Sequence, residues 1–170
     1  SGDEGLPEAP VEEGKPESEI FESILLPQSE EAPPIALEHT LFEIFANESS
    51  GHLQVIEDFV DNCRGLATGC VVSEELKRSV HTLRGSARMA EVSSMAALAE
   101  ALEHWLGLLG RLGRRTDAAT VDILERSHFV LNSLLRVINQ PGAAMPTWQP
   151  LLREIELLSE GLEQESHHAA

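Results

Sequence analysis

The segment LKRSVHTLRGSARMA, Leu76–Ala90, decides the fold expected for this chain. Its apolar residues recur at alternating spacings of four and three positions, which is the repeat of a helix that buries one face. This buried face would consist of Leu76, Val80, Leu83, Ala87 and Ala90. The neighbouring face carries one histidine and three cations at the same spacing: Lys77, His81, Arg84 and Arg88. We therefore expect an amphipathic helix with a solvent-facing histidine among positive charges.

The composition of the whole chain favours further helices of this kind. Of its 170 residues, 42% are hydrophobic but only 4% are aromatic, and Ala, Leu and Glu predominate. No proline occurs between residues 35 and 140, which is typical of long helices joined by short loops. Short connections make consecutive helices antiparallel neighbours. The expected fold is all-α: an up-and-down antiparallel four-helix bundle with an additional C-terminal helix.

Apolar periodicity and capping residues give approximate bounds for five helices. They are expected at residues 37–63, 74–90, 94–113, 118–138 and 147–163. Ser73 suits the N-cap of the second helix, and Thr116 or Asp117 that of the fourth. The bundle domain is placed at residues 36–166. Residues 1–35 carry ten acidic residues and six of the nine prolines, which predicts a largely disordered linker in which residues 18–26 have the spacing for a short helix.

Charge and cysteine content exclude several classes of function. A net charge of -17 disfavours binding to nucleic acid or to an anionic membrane. The chain has neither a run of about 20 apolar residues nor a basic, hydrophobic N-terminal signal, so a cytoplasmic protein is expected. Cys63 and Cys70, in CRGLATGC, fit neither a CxxC redox motif nor a zinc-ligand pair. We expect both to be reduced thiols, and a disulfide between them is the alternative.

Gly85 is unusual because glycine in a helix interior costs about 1 kcal/mol relative to alanine. It lies one turn from His81, on the same side, where the missing side chain would let another protein approach the imidazole. An imidazole nitrogen can attack phosphorus, and nearby lysine and arginine can stabilise phosphoryl oxygens. The pattern indicates a phosphorylated His81. The alternatives are an ordinary surface histidine, a solvated basic face and a frayed helix end.

The segment HTLRGSARM also resembles the signature of histidine phosphotransfer (HPt) domains, especially those of chemotaxis-type hybrid histidine kinases that control type IV pilus twitching motility. LFEIFANESSGHLQVIEDFV resembles their first helix, and the similarity covers about residues 37–140. The resemblance implies that His81 accepts a phosphoryl group, that Gly85 is a position of close approach and that Arg84 replaces the usual lysine. It also implies a carboxylate that orients the imidazole, for which Glu103 is the first candidate and Glu100 the competing one.

The chain shows no glycine-rich nucleotide loop and no Mg²⁺-binding acidic cluster, so this module is expected to bind no cofactor. ATP and Mg²⁺ would come from partner domains: a kinase catalytic domain, and a response-regulator receiver that takes the phosphoryl group on aspartate. Lys77, Arg84 and Arg88 would contact the phosphoryl group or the partner, as would the surface at Gly85. Glu100, Glu103 and His104 lack the paired E-x-x-H motifs of a di-iron bundle, so no metal site is expected.

The isolated domain is expected to be monomeric and not an autonomous enzyme, but part of a histidine kinase polypeptide. The alternative is an HPt-like scaffold or docking domain that is never phosphorylated. The presence of both His81 and Gly85 favours phosphotransfer, because a scaffold needs neither.

Overall fold

The computed structural model describes residues 35–168, which form five helices. They are α1 Ile35–Arg64, α2 Glu74–Met89, α3 Ser93–Arg111, α4 Ala118–Val137 and α5 Gln149–His168. The helical bundle belongs to the unit Leu37–Ala170. Nearly all of the predicted acidic linker, including the short helix suggested for residues 18–26, lies outside the described residues.

The all-α bundle with an additional C-terminal helix is confirmed. Each helix contributes aliphatic side chains to one core, whose largest fully buried members are Ile56, Leu76, Val80, Leu83, Met95, Leu98, Leu102, Leu106, Leu124, Leu131, Leu134 and Ile155. Helix α3 packs against α2, α4 and α5. Because α2 and α5 both pack against α3, side chains that flank the buried face of α3 lie beside α2 or beside α5.

Local capping explains where α2 and α4 begin. The hydroxyl of Ser73 accepts a hydrogen bond from the backbone N–H of Leu76 at 3.1 Å, and Glu74 and Glu75 lie in the first turn, where negative charge is favourable. Of the two caps considered for α4, the structure uses Asp117, whose carboxylate accepts from the backbone N–H of Thr120 at 2.8 Å. Hydrogen bonds from the backbone and side chain of Thr120 lower the pKa of Asp117.

The apolar face of α1 and the predicted apolar face of α2 are each longer than the face that the core covers. Phe45 is buried, but Leu41 and Ile44 are 57% and 52% exposed and border a groove with Met89. Ala90, expected at the end of the buried face of α2, is exposed because the helix ends at Met89 and Ala90 is its C-cap.

The expectation of two reduced cysteines is wrong, because Cys63 and Cys70 form a disulfide bond. Helix α1 ends directly after Cys63, and the following turn brings the two Cα atoms to 5.4 Å, within the range that a disulfide spans. Gly69 has a φ of 72°, and a Cβ there would lie 2.0 Å from the backbone oxygen of Thr116. A glycine is therefore required for the chain to turn at this point.

The disulfide turn is fastened to the loop between α3 and α4. The backbone N–H of Cys70 donates to the hydroxyl of Thr116 at 2.9 Å, and the backbone N–H of Thr116 donates to the carbonyl of Cys70 at 2.8 Å. Val71 and Arg115 form an isolated antiparallel bridge beside them. These contacts fix the start of α2, the helix that carries His81.

Across residues 35–168, the helices all fall short of the length and apolarity required to cross a membrane.

Candidate functional site

His81 lies in the middle of α2 on the face that points away from the core. Its neighbours Val80 and Leu83 are fully buried, whereas the His81 side chain is 68% exposed. The 4,3 repeat of apolar residues fixes this orientation, because rotating the helix to bury His81 would expose Val80 and Leu83. The structure thus places the imidazole in solvent, as the pattern of α2 predicts.

The carboxylate of Glu103, on the facing helix α3, contacts two side chains of α2. Its Oε1 lies 2.6 Å from Nδ1 of His81, and its Oε2 accepts a hydrogen bond from a guanidinium N–H of Arg84 at 2.9 Å. Each oxygen has its own partner, so the carboxylate is held from both sides. The Glu103 side chain is 26% exposed, far less than the imidazole that it contacts.

Glu103 is ionised at neutral pH. Partial burial raises the pKa of its carboxyl, but hydrogen bonds from Arg84 and His81 together outweigh burial and lower the pKa below its ordinary value. The hydrogen bond to Glu103 likewise raises the pKa of Arg84 against a smaller opposing effect of desolvation. Because an ionised carboxylate only accepts hydrogen bonds, Nδ1 of His81 carries a proton. In the neutral imidazole, Nε2 then bears the free lone pair.

Glu100 lies one turn before Glu103 on α3 and pairs with arginines of α2 instead of with His81. Its carboxylate accepts from the guanidinium of Arg88 at 3.4 Å and lies 3.8 Å from that of Arg84. The structure therefore places Glu103, not Glu100, against the imidazole.

Lys77 and Gly85 lie one turn before and one turn after His81. Nζ of Lys77 is 2.6 Å from a carboxylate oxygen of Glu74, an exposed residue in the first turn of α2. Gly85 is exposed, and a Cβ built on it would meet no atom within 4 Å. The surface beside the imidazole is therefore open on the Gly85 side.

His81 borders a groove of about 790 Å³ between α2 and α3, with α5 along one edge. Arg78, His104 and Arg111 are among the lining residues that sequence reasoning did not assign to the site. His104 contacts Glu163 of α5, with Nε2 and Oε1 2.5 Å apart. The spacing of Glu103, Gly107 and Arg111 along one side of α3 is the sequence signal that could have identified Arg111.

Potential metal ligands are dispersed in this region. Within residues 35–168, no group of three or more His, Cys, Asp or Glu side chains is arranged to hold a metal ion. Glu100 and Glu103 contact arginines, and His104 contacts Glu163. The arrangement suits chemistry at one imidazole nitrogen, with a carboxylate behind it and cations beside it.

Comparison with known protein families matches residues 40–140, more than half of the chain, to the Hpt domain. No curated protein and no solved structure gives a significant match. The matched region spans most of α1 and all of α2, α3 and α4, and so includes His81 and Glu103. The chain belongs to the Hpt domain family, the domains of histidine phosphotransfer in phosphorelays.

Proposed function

We propose that this domain accepts a phosphoryl group on Nε2 of His81 from an ATP-dependent kinase domain and passes it to an aspartate of a response-regulator receiver. The observation that carries the proposal is the 2.6 Å contact between Nδ1 of His81 and Glu103. This contact holds the imidazole proton on Nδ1, the nitrogen that faces the protein, and leaves the lone pair on Nε2, the nitrogen that faces solvent. A partner can therefore reach the nucleophile directly.

The transfer exchanges one bond to phosphorus for another. The Nε2 lone pair attacks the terminal phosphorus of ATP held by the kinase, an N–P bond forms, and the bond to the leaving oxygen breaks with its electrons going to ADP. Positive charge develops on the imidazole, and the Glu103 carboxylate stabilises it through the Nδ1 proton. In the second step, an aspartate oxygen of the receiver attacks phosphorus, and the N–P electron pair returns to Nε2.

The cations of α2 have separate roles in this proposal. Arg84 holds Glu103 in place. Lys77 and Arg88 form exposed ion pairs with Glu74 and Glu100, which contribute little to stability in water. Exchanging these carboxylates for phosphoryl oxygens therefore has a small energetic cost, and we assign Lys77 and Arg88 to contact with the phosphoryl group or the partner.

We place the domain in a cytoplasmic, chemotaxis-type hybrid histidine kinase of the kind that controls twitching motility. The resemblance of HTLRGSARM to the HPt domains of those kinases supports this context, as does the additional helix α5. The acidic, proline-rich segment before the bundle has the composition of a tether in a longer polypeptide. The kinase domain would supply bound ATP and Mg²⁺, and the receiver its own Mg²⁺.

Incubating the domain with its kinase and labelled ATP tests the proposal. We expect label that is lost in acid and retained in base, absent from His81→Gln and present in His104→Gln. His104 is a matched control, because it lines the same groove and also contacts a carboxylate. Both variants should keep the helical circular dichroism of the parent domain. Label that persists in folded His81→Gln would overturn the assignment.

A further inference from the structure

We propose that Arg78 and Arg111 form a basic contact for the receiver in the groove beside His81. This contact is additional to the one at the imidazole itself. It seats an acidic segment of the receiver next to the phosphoryl-accepting aspartate. This inference rests on the function proposed above and adds residues that determine which partner is accepted. Arg78 precedes His81 by one turn on α2, and Arg111 lies in the last turn of α3. Both line the same groove as the imidazole.

Two glycines of α3 leave room for cationic side chains along this groove. A Cβ on Gly107 would lie 3.4 Å from a guanidinium nitrogen of Arg111, and a Cβ on Gly110 would lie 3.7 Å from Nζ of Lys77. The charged ends of Lys77 and Arg111 thus lie over the positions where α3 has no side chain. Larger residues at 107 and 110 would occupy the space that these cations use.

Arg78 and Arg111 are available for an external partner. In the part of the chain that the structure describes, no carboxylate lies within salt-bridge distance of either guanidinium, whereas the neighbouring Arg84 and Arg88 are both paired. The whole chain has a net charge of -17, but the lining of this groove carries as many lysines and arginines as carboxylates, so its two unpaired arginines are locally uncompensated positive charge. Unpaired guanidinium groups bind carboxylates through short, charge-assisted hydrogen bonds.

The opposite edge of the groove carries negative charge. Glu156 of α5 lines the groove there, and Glu160 and Glu163 continue along the same helix beside His104. These carboxylates already have partners within the domain, Glu156 and Glu160 in Arg153 and Glu163 in His104. An acidic segment is therefore attracted to the unpaired guanidinium groups of Arg78 and Arg111 and not to the α5 edge. Such complementarity mainly increases the rate of association and the specificity between partners. The complementarity also orients the receiver, because the phosphorylation site of a receiver is itself acidic.

Comparison of Arg111→Glu with Arg136→Glu tests the proposal. Both arginines are exposed and lie in the last turn of a helix, so the two changes alter the net charge and the helix dipole alike, but only Arg111 lines the groove.

The domain is loaded with phosphoramidate, a small donor whose phosphorus–nitrogen bond breaks to release ammonia as the N–P bond to His81 forms. Transfer is then measured to the receiver that accepts phosphate fastest among those of the same genome.

We expect Arg111→Glu to lower kcat/KM of transfer by about tenfold or more through KM, and Arg136→Glu to change it by less than about twofold. The decline of kcat/KM with ionic strength should also be shallower in Arg111→Glu, a change that a purely structural role would not produce. Gly107→Gln, which places a long side chain beside Arg111, should slow transfer in the same way.

Loading by phosphoramidate separates the two proposals. It should proceed at the same rate in the parent domain and in Arg111→Glu, because the small donor does not need the basic contact. Failure of the parent domain to acquire label on His81 would contradict the proposed function itself. Normal loading followed by transfer from Arg111→Glu at the parental kcat/KM would overturn the basic contact and leave phosphotransfer through His81 in place.

Discussion

Oε1 of Glu103 lies 2.6 Å from Nδ1 of His81, so a carboxylate of α3 and an imidazole of α2 form a single unit across the helix interface. Arg84 holds the second oxygen of the same carboxylate. Among the described residues, Nε2 of His81 has no hydrogen-bond partner, and the side chain that carries it is 68% exposed. The same contacts that lower the pKa of Glu103 therefore determine which nitrogen can act as a nucleophile.

Replacing Glu103 by glutamine should slow phosphorylation of His81 about tenfold to a hundredfold, the effect that removing an orienting carboxylate has at metal-bound histidines. A neutral amide can still accept the hydrogen bond from Nδ1, but it stabilises the positive charge that develops on the imidazole less than a carboxylate does. The rate of label incorporation from the kinase measures this effect, with circular dichroism as the check on folding.

Glu100→Gln is the matched control for Glu103→Gln, because Glu100 lies one turn away on the same helix and contacts Arg88 instead of His81. Its phosphorylation rate should remain within about threefold of the parent, since an exposed ion pair contributes little. Equal rates for the two variants would show that the carboxylate behind the imidazole does not assist the reaction.

Gly85→Gln should fold normally but transfer its phosphoryl group more slowly to the receiver. A Cβ at this position meets no atom within 4 Å, so the domain itself has room for a side chain, whereas an approaching protein does not. Phosphoramidate should load the variant at the parental rate. Gly51→Gln is the control, because Gly51 is also an exposed helical glycine with open space around it. Transfer from Gly85→Gln as fast as from Gly51→Gln would contradict the role of Gly85.

Much of the fold can be predicted from the sequence because it depends on local patterns. The 4,3 repeat of Leu76, Val80 and Leu83 determines which face of α2 is buried, and Ser73 supplies the cap that starts it. The position of His81 in solvent follows from this repeat alone.

The partner of His81 depends on a relationship between two helices. Glu100 and Glu103 are one turn apart on the same side of α3, so periodicity does not distinguish them. The axial register of α2 against α3 distinguishes Glu100 from Glu103. Buried side chains far apart in sequence determine that register. The resemblance to HPt domains favoured Glu103. Arg111 was not assigned to the site although its spacing from Glu103 and Gly107 places it on the same side of α3, because the sequence does not show that the groove extends to the far end of this helix.

The Cys63–Cys70 disulfide was not the favoured prediction, because its formation depends on the path of the turn between α1 and α2, which the sequence does not show. Reducing it should lower the free energy of unfolding by about 2 to 3 kcal/mol, the loop-closure effect expected for so short a ring. Urea unfolding with and without a dithiol reductant measures the difference. A Cys63→Ala/Cys70→Ser variant should be insensitive to the reductant. No effect of the reductant on the parent domain would contradict a stabilising disulfide.

Asp117→Ala should lower the free energy of unfolding by about 1 kcal/mol at neutral pH through loss of the α4 cap. Because the folded-state pKa of Asp117 is lowered from 3.8, its ionisation stabilises the fold above that value, and the stabilisation is lost as the pH falls through the folded pKa. The difference in the free energy of unfolding between the parent domain and Asp117→Ala should shrink over that acidic range. Asp117→Asn, which keeps an accepting oxygen, should lose less stability at neutral pH. A difference that stays constant down to low pH would contradict the charged cap.

The most direct measurement follows the imidazole nitrogens of His81 by ¹⁵N NMR before and after phosphorylation. Before phosphorylation, we expect a protonated Nδ1 and an unprotonated Nε2. Afterwards, the phosphorus should be bonded to Nε2 of His81, with Nδ1 still directed at Glu103. Phosphorus on Nδ1, or on any residue other than His81, would contradict the mechanism.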